Sequence, residues 1–567
     1  MSNGFLILSI WYLIIPSSIL GYGICFKKII FKNKEHFNIG YLGIIGIFFL
    51  IIYSYLSNFF IPHTKIHNFI ILIIGFVFFI ANFIINKKEE KKKIIIFYFT
   101  LIILFISILI FKNHDDFEYY HFPYTYLLTQ NDLIIGLGNF GHGFRTQSSI
   151  FYLNSIFYLP YIDYYLFNLG AVLILFFTNL ILLDYVFGNF GRKKLNLNNK
   201  FFQYFSLLAI IFINIFFYRI SEHGTDRSSQ ILIFLLFIEI IYFLNIKPLS
   251  QYKLTKVYLL LGIIVSFKAF FILYLITFIL LFVHIFKNVK KITKTINFFL
   301  VNKFFLFFLS LIFLILITNI LNTGCFIYPV YFTCFENFNW SIPIEQVKEM
   351  NNWYELWSKA GAGPDFRVLN KDIYIQDFNW INNWFNIYFF NKVTDLLFGL
   401  FFLCILFFFI FNRHNKKATK KIKYIKSVYV LISFLFIEWF IVHPALRYGG
   451  YVLVSLLFFI PLSFKLNNSS IKSKDFFKKA IAIIIIVSFI FLLRNIVRIN
   501  NEFEKYRYKP FQNVFYKVDE KHFRIQKKLE IILERNDFCN DNQNMNECLG
   551  EINKTSKIFG KTVIENR

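Results

Sequence analysis

The chain has 567 residues, of which 57% are hydrophobic, 22% aromatic and only 16% charged. A soluble fold cannot cover that much apolar surface, so composition excludes a water-soluble enzyme and gives an all-α, polytopic integral membrane protein. The net charge of +27 does not make nucleic acid a partner. The basic residues cluster in short segments beside apolar stretches, where they set orientation and meet anionic membrane lipids.

A spanning helix needs about 20 apolar residues. Stretches of that kind fall at 5–26, 39–61, 67–86, 94–112, 163–187, 201–218, 229–246, 302–320, 393–412, 427–443, 447–464 and 479–497. The first is too long for a signal-peptide core and has no charged segment before it, so it reads as a retained helix. The stretch 257–286 is too long for one span and has basic segments on both sides. A hairpin of two short helices, broken near Ser266–Lys268, satisfies both conditions and brings the expected number of membrane segments to about fourteen.

Orientation follows from charge. The segments near 27–37, 86–93, 191–200, 247–256, 287–303, 413–426 and 465–479 hold about 33 Lys and Arg, whereas those at 62–66, 113–150, 219–228, 321–391 and 443–450 hold about 9. The two sets alternate along the chain without a violation. The basic set is therefore expected in the cytoplasm, and the N-terminus and the tail outside it. This divides the chain into N-terminal membrane helices (1–112), a first large extracytoplasmic loop (113–162), central membrane helices (163–320), a second large loop (321–392), C-terminal membrane helices (393–497) and an extracytoplasmic tail (498–567), read as a small helical appendage. Cys325 and Cys334 share one outer segment and Cys539 and Cys548 another, so each pair is either a bridge or two thiols. Cys25 and Cys404 lie in apolar helices and read as inert.

Candidate chemistry gathers on the outer face. The string HDDFEYYHF (114–122) puts three carboxylates and two histidines at a membrane surface. Asp116 and Tyr120 share a face if a helix begins there. A carboxylate in an interfacial, partly desolvated setting is suited to proton abstraction, the plainer alternative being a solvated acidic helix cap. Asp116 is the first candidate for a catalytic base, with Asp115 and Glu118 beside it. Asp115 and Asp116 together with a phosphate are candidates for holding a divalent cation, Mg2+ or Mn2+. The histidines His114, His121, His142 and His223 follow no zinc spacing.

Farther on, GNFGHGFRTQSS (138–149) offers His142, Arg145, Thr146, Gln147 and Ser148 as donors to phosphate or sugar hydroxyls. RISEHGTDRSSQ (219–230) adds Glu222, Asp226 and Arg227. Lys268, at the hairpin break, is an ionisable group at membrane depth and a functional candidate on that ground. HPALRYGGY (443–451) adds His443 and Arg447. The outer arginines are few (Arg145, Arg219, Arg227, Arg367 and Arg447), and their convergence would neutralise a phosphate at headgroup level. His121, His142, Arg145, Arg227, Lys268, His443 and Arg447 are therefore the candidate substrate-binding residues. Trp340, Trp353, Trp357, Trp380 and Trp384 are candidate sugar-stacking platforms, or else an interfacial belt. The chain has no phosphate-binding G-x-x-x-x-G-K-[ST] element, no dinucleotide fingerprint and no nucleophile elbow.

The Asp-x-x-x-Tyr pattern at Asp116 to Tyr120, in the first large outer loop of a many-helix chain, resembles the first-loop signature of the GT-C class of membrane glycosyltransferases. DDFEYYHFP (115–123), NTGCFIYPVYFTCFENFNW (322–340) and NNWYELWSKAGAGPDF (351–366), with its echo at 380–384, resemble uncharacterised bacterial membrane proteins of surface-polysaccharide synthesis. One departure stands out: three helices precede the one leading into the acidic loop, where the class usually has none. The resemblance implies a bacterial inner-membrane enzyme that moves a sugar from a polyprenyl-phosphate donor to a glycan or lipid acceptor. An outer-loop Asp would act as base or metal ligand and basic groups would hold the lipid phosphate. The alternative is a flippase, transporter or polymerase for lipid-linked saccharides. Transporters favour internal repeats and midplane polar groups, whereas this chain shows no clear repeat and gathers its polar groups at one face.

Overall fold

Long runs of Phe, Ile and Leu can satisfy their backbone in lipid only by coiling into helices. The computed structural model describes residues 3–31, 37–85, 87–188, 200–363, 368–412, 422–469, 471–512, 515–540, 545–550 and 552–566. Among these, ten helices are long and apolar enough to cross a membrane, which is the architecture of a helical multi-pass membrane protein. Two shorter apolar helices, Lys200–Phe216 and Gly450–Leu466, pack with them.

Burial sorts the helices into an inner and an outer set. Leu169–Phe187 and Gly224–Asn245 are 83% and 89% buried over their most apolar windows, which places them at the centre. Lys65–Ile85, Ile381–Phe411 and Ser473–Tyr506 are each 22% buried, so most of their apolar surface is left to lipid. The N-terminal helix Asn3–Phe31 packs on Ile39–Asn58 and Lys65–Ile85. Gly21 and Gly75 meet where two of these backbones cross, and a Cβ on Gly21 would collide with the Gly75 carbonyl.

Of two expected features, one takes a different form and one is met. The segment 219–228, expected as a loop, lies almost wholly in the helix Ile220–Asn245, which kinks at Gly224 (φ 23°, ψ −75°). Polar residues there cap and pair within the protein, so they extend the helix rather than interrupt it. The stretch 257–286 does break as expected. Helix Thr255–Phe267 ends at Lys268, which is extended (φ −155°, ψ 126°), and the chain resumes as a 3-10 segment, Ala269–Ile276, followed by helix Thr277–Val289.

The tail is not purely helical. The last long helix runs on to Tyr506, and beyond it lie helix Arg524–Cys539 and a two-stranded antiparallel hairpin, Thr555–Ile558 with Lys561–Ile564. The hairpin is stitched to the first loop: Ile564 N donates to Ile135 O and Ile135 N to Thr562 O, both at 2.9 Å. Lys561 pairs with Asp132 at 2.6 Å, and Asn566 N reaches Asn339 O in the second loop at 2.6 Å. Disulfides join Cys325 to Cys334 and Cys539 to Cys548, which settles both pairs as bridges.

Candidate functional site

Four elements far apart in sequence bring one charged side chain each to a common point. The first is the acidic string. Residues Phe117–His121 form a π-turn, with Asp116 at its N-terminal end and Phe122 N donating to Phe117 O. Pro123 follows at the start of helix Phe122–Gln130. It has no N–H to return to the Tyr119 carbonyl at α spacing, and that oxygen accepts from Arg524 Nη2 at 2.9 Å instead.

The second element is the kinked helix Ile220–Asn245. Past Gly224, Asp226 and Gln230 lie four residues apart on one face. The third is the break at Lys268, where the freed carbonyl of Phe267 accepts from Ser148 Oγ at 2.6 Å. The fourth is the 3-10 turn Leu446–Tyr448, which carries Arg447 between two apolar helices. Trp384 Nε1 donates to Pro444 O at 3.1 Å, Trp439 Nε1 to Ala445 O at 3.0 Å, and Leu446 N to Tyr388 Oη at 2.8 Å, so this turn is braced on several sides.

The charges form a chain. Arg447 Nη2 meets Asp116 Oδ2 at 3.1 Å and Arg447 Nε meets Asp226 Oδ2 at 3.0 Å. Asp226 Oδ1 takes Lys268 Nζ at 3.3 Å. Gln230 Nε2 holds the Arg447 carbonyl at 3.0 Å, one turn beyond Asp226. Trp357 and Tyr448 flank the guanidinium, with ring centroids 5.4 and 5.8 Å from its central carbon. Two carboxylates and two cations balance, which allows them to share a site largely withdrawn from water. Asp226 is engaged on both oxygens and its side chain is 8% exposed. Asp116 meets Arg447 through Oδ2 and is 28% exposed, which makes it the more accessible acid.

Electrostatics follow from this packing. Burial pushes the Asp116 carboxyl up, but Arg447, His121 and His114 outweigh it, and the net direction is below the usual range. Burial opposes the charge on Arg447, yet Asp226, Tyr448 and Asp116 hold it firmly protonated. His121 packs against Tyr120 and Phe151, its buried Nε2 has no hydrogen-bond partner among the described residues, and burial drives it down to about 3. His114 Nδ1 accepts the Asp116 N–H at 3.1 Å, so the 3.5 Å approach of that nitrogen to Asp116 Oδ2 is not a second hydrogen bond.

Of the residues singled out in the sequence, the structure brings Asp116, Lys268 and Arg447 together. The others stand apart to differing degrees. Asp115 is exposed, and Glu118 faces Lys521 at 4.0 Å. Arg145 donates to Gly138 O at 3.0 Å, Gln346 Oε1 at 3.1 Å and Tyr328 Oη at 3.4 Å; it is a neighbour of the cluster and not a member. His142 sits between them, touching Tyr119 Oη through Nδ1 at 3.3 Å. Gln147 and Ser148, offered as ligand donors, are buried and bonded to Asn319 and Phe267. Arg227 turns away from the cluster and stacks on Phe217 at 5.5 Å. His443 borders the cluster through Phe270 and Tyr448 without joining it. Arg367 and the His223 side chain lie outside the described residues.

Asp115 and Asp116 are candidates for holding a divalent cation together with a phosphate. Asp115 is exposed and Asp116 is paired to a guanidinium, and no group of three or more His, Cys, Asp or Glu among the described residues is placed to hold a metal ion. The tryptophans divide as well. Trp340, Trp380 and Trp384 are buried core residues, and only Trp353 and Trp357 are open near the site. Sequence reasoning weighed Asp226 but committed to its neighbour Arg227. It also missed Tyr354, which lies within electrostatic reach of Lys268, Tyr448 and Tyr120. A helical reading of 220–230 would have put Asp226 and Gln230 on one stripe.

Residues 5–454 match a family described as a domain of unknown function (DUF8201). The chain belongs to that family. The matched region contains all four residues of the charged chain and stops short of the tail. No curated protein and no solved structure matches the chain.

Proposed function

We propose that this DUF8201 member is a membrane glycosyltransferase of GT-C type, with about fourteen membrane segments, in a bacterial inner membrane. It takes a sugar from a polyprenyl-phosphate donor and passes it to a cell-surface glycan or lipid acceptor outside the cytoplasm. The observation that carries this reading is the charged chain Asp116–Arg447–Asp226–Lys268, set at a break between membrane helices.

Arg447 and Lys268 are the cations for a lipid phosphate. The guanidinium has a planar fork suited to phosphate oxygens, and aromatic faces hold it in place. When a phosphate takes over Arg447, Asp116 loses the partner that holds its pKa down while burial continues to raise it. The carboxylate then becomes a better base. Asp116 takes the proton of the acceptor hydroxyl, the acceptor oxygen bonds to the anomeric carbon, and the bond from that carbon to the phosphate oxygen breaks. The departing polyprenyl phosphate keeps its charge against Arg447 and Lys268. Asp226, bonded on both sides, positions the two cations.

The test is Asp116→Asn in cells, followed by extraction of lipid-linked saccharides. The expected result is a stable, inserted protein, a missing surface-glycan modification and accumulation of the donor lipid. A wild-type glycan profile in that strain would remove Asp116 as the base.

A further inference from the structure

Apart from the charged cluster, and walled in part by Tyr119, the partner of His142, lies an open cleft of about 320 Å³. Its walls come from three places. Tyr119 belongs to the acidic string, Phe140 and Phe144 to the glycine-bearing segment, and Arg524 and Lys528 to the tail helix Arg524–Cys539. Arg524 and Lys528 are four apart and share one helix face. The Arg524 guanidinium carbon stands 4.8 Å from the Tyr119 ring centroid, and Lys528 Nζ stands 5.4 Å from that of Phe140.

Neither cation is paired to a carboxylate among the described residues, although Glu118 and Glu520 lie nearby and pair with Lys521 and Lys527. The cleft thus presents aromatic faces and two positive charges to which no carboxylate among the described residues is paired. Its volume is at the small end of ligand sites, which run from about 300 to 1,000 Å³. Aromatic rings accept the apolar face of a sugar, and uncancelled cations accept a carboxylate or phosphate on the same ring. Its tail wall lies outside residues 5–454, the part of the chain that matches the family.

We infer that this cleft is a subsite for an acidic saccharide, a uronic acid or a sugar bearing phosphate, held by Arg524 and Lys528 against Tyr119 and Phe140. The inference deepens the glycosyltransferase reading by giving the class of saccharide bound next to the charged chain. Its test is binding alone, so it stands or falls apart from catalysis.

The experiment is calorimetry on the full chain in nanodiscs of zwitterionic lipid, with tetragalacturonate, its neutral methyl ester and inorganic phosphate as probes. Tetragalacturonate should bind, and the methyl ester should bind at least about tenfold more weakly, a difference of about 1.4 kcal/mol. Arg524→Gln removes the contact with the Tyr119 carbonyl and could disturb the tail, so Lys528→Gln, which gives up only a ring contact, decides the matter. Lys528→Gln should weaken tetragalacturonate about tenfold and leave thermal stability unchanged. Arg447→Gln should leave tetragalacturonate binding as it is, even if the lipid-phosphate reading fails. Equal binding of tetragalacturonate and its ester, or equal binding by wild type and Lys528→Gln, overturns the proposal. So does inorganic phosphate displacing tetragalacturonate at equal concentration, which would make the site a simple anion hole. Loss of tetragalacturonate binding on adding anionic lipid to the nanodisc would assign the cleft to headgroups and overturn it too.

Discussion

Arg447 and Asp116 are 331 residues apart in the chain and 3.1 Å apart in space. The same guanidinium also holds Asp226 through Nε, so one side chain spans two acids from two different membrane-flanking segments. Arg447→Lys keeps the charge but not this double reach, because an ammonium is a point donor. The expected result is an apparent KM for the lipid donor raised about tenfold or more, with protein yield unchanged. Donor kinetics identical to wild type would detach Arg447 from the phosphate.

A second prediction concerns the seam where the last long helix meets the kinked helix Ile220–Asn245 and the stretch around Ile106 and Leu109. Arg498 pairs with Glu222 at 3.2 Å and donates to the carbonyls of Ile106 and Leu109 at 3.2 and 3.1 Å, while Arg219 also pairs with Glu222. The Arg498 and Glu222 side chains are 7% and 2% exposed, so removing Arg498 leaves a buried carboxylate with half its charge pairing, to Arg219 alone. Arg498→Met should cost about 3 kcal/mol, read as the midpoint of denaturant unfolding in detergent. Adding Glu222→Gln should recover part of that loss. A double variant less stable than the sum of the two single changes would exclude the pairing as the cause.

Acid should loosen the outer face. His63 and His121 are held down to about 3 and His443 to about 4, in each case chiefly by burial and further by a neighbouring histidine or lysine, while Asp116 and Asp226 oppose the shift at His121. An unfolded chain takes up these protons near pH 6.5, whereas the folded protein refuses them until about 3 or 4. Stability is therefore full above the unfolded value and declines as pH falls through the window between the two. Each site adds a slope of up to about 1.4 kcal/mol per pH unit. His443→Gln should flatten the dependence of unfolding midpoint on pH by one proton. An unchanged slope would mean that His443 is protonated in the fold.

Orientation is open to a direct check. Gln130 is exposed at the end of helix Phe122–Gln130, and Gln130→Cys should react with a membrane-impermeant thiol reagent applied to intact spheroplasts. Labelling only after the membrane is opened would invert the topology and with it the proposed donor side.

Much of this arrangement was legible in the sequence because lipid imposes simple rules. An overlong apolar stretch interrupted at Ser266–Lys268 had to break, and the break is at Lys268. Asp116 and Arg447 were marked by being charged where charge is scarce. What escaped was rotation and long-range closure. Asp226 and Arg227 differ by one residue, about 100° around a helix, and only the helical continuation of 220–228 decides which of them faces Arg447. Gln147, Ser148, Trp380 and Trp384 looked like ligand groups, yet they satisfy buried backbone and side-chain partners that no local pattern announces. The cleft wall at Arg524 and Lys528 gave no signal, since two cations on a polar helix are ordinary until an aromatic loop is placed opposite.

The strand Lys561–Ile564 has a bearing on biogenesis. Lys561 and its partner Asp132 lie 429 positions apart. While the ribosome works through that interval, the backbone of Ile135 lacks the neighbour that will finally cover it. Closure of this rim therefore waits until the hairpin has been made, and a chain that stops before the hairpin should be the form most readily attacked by proteases.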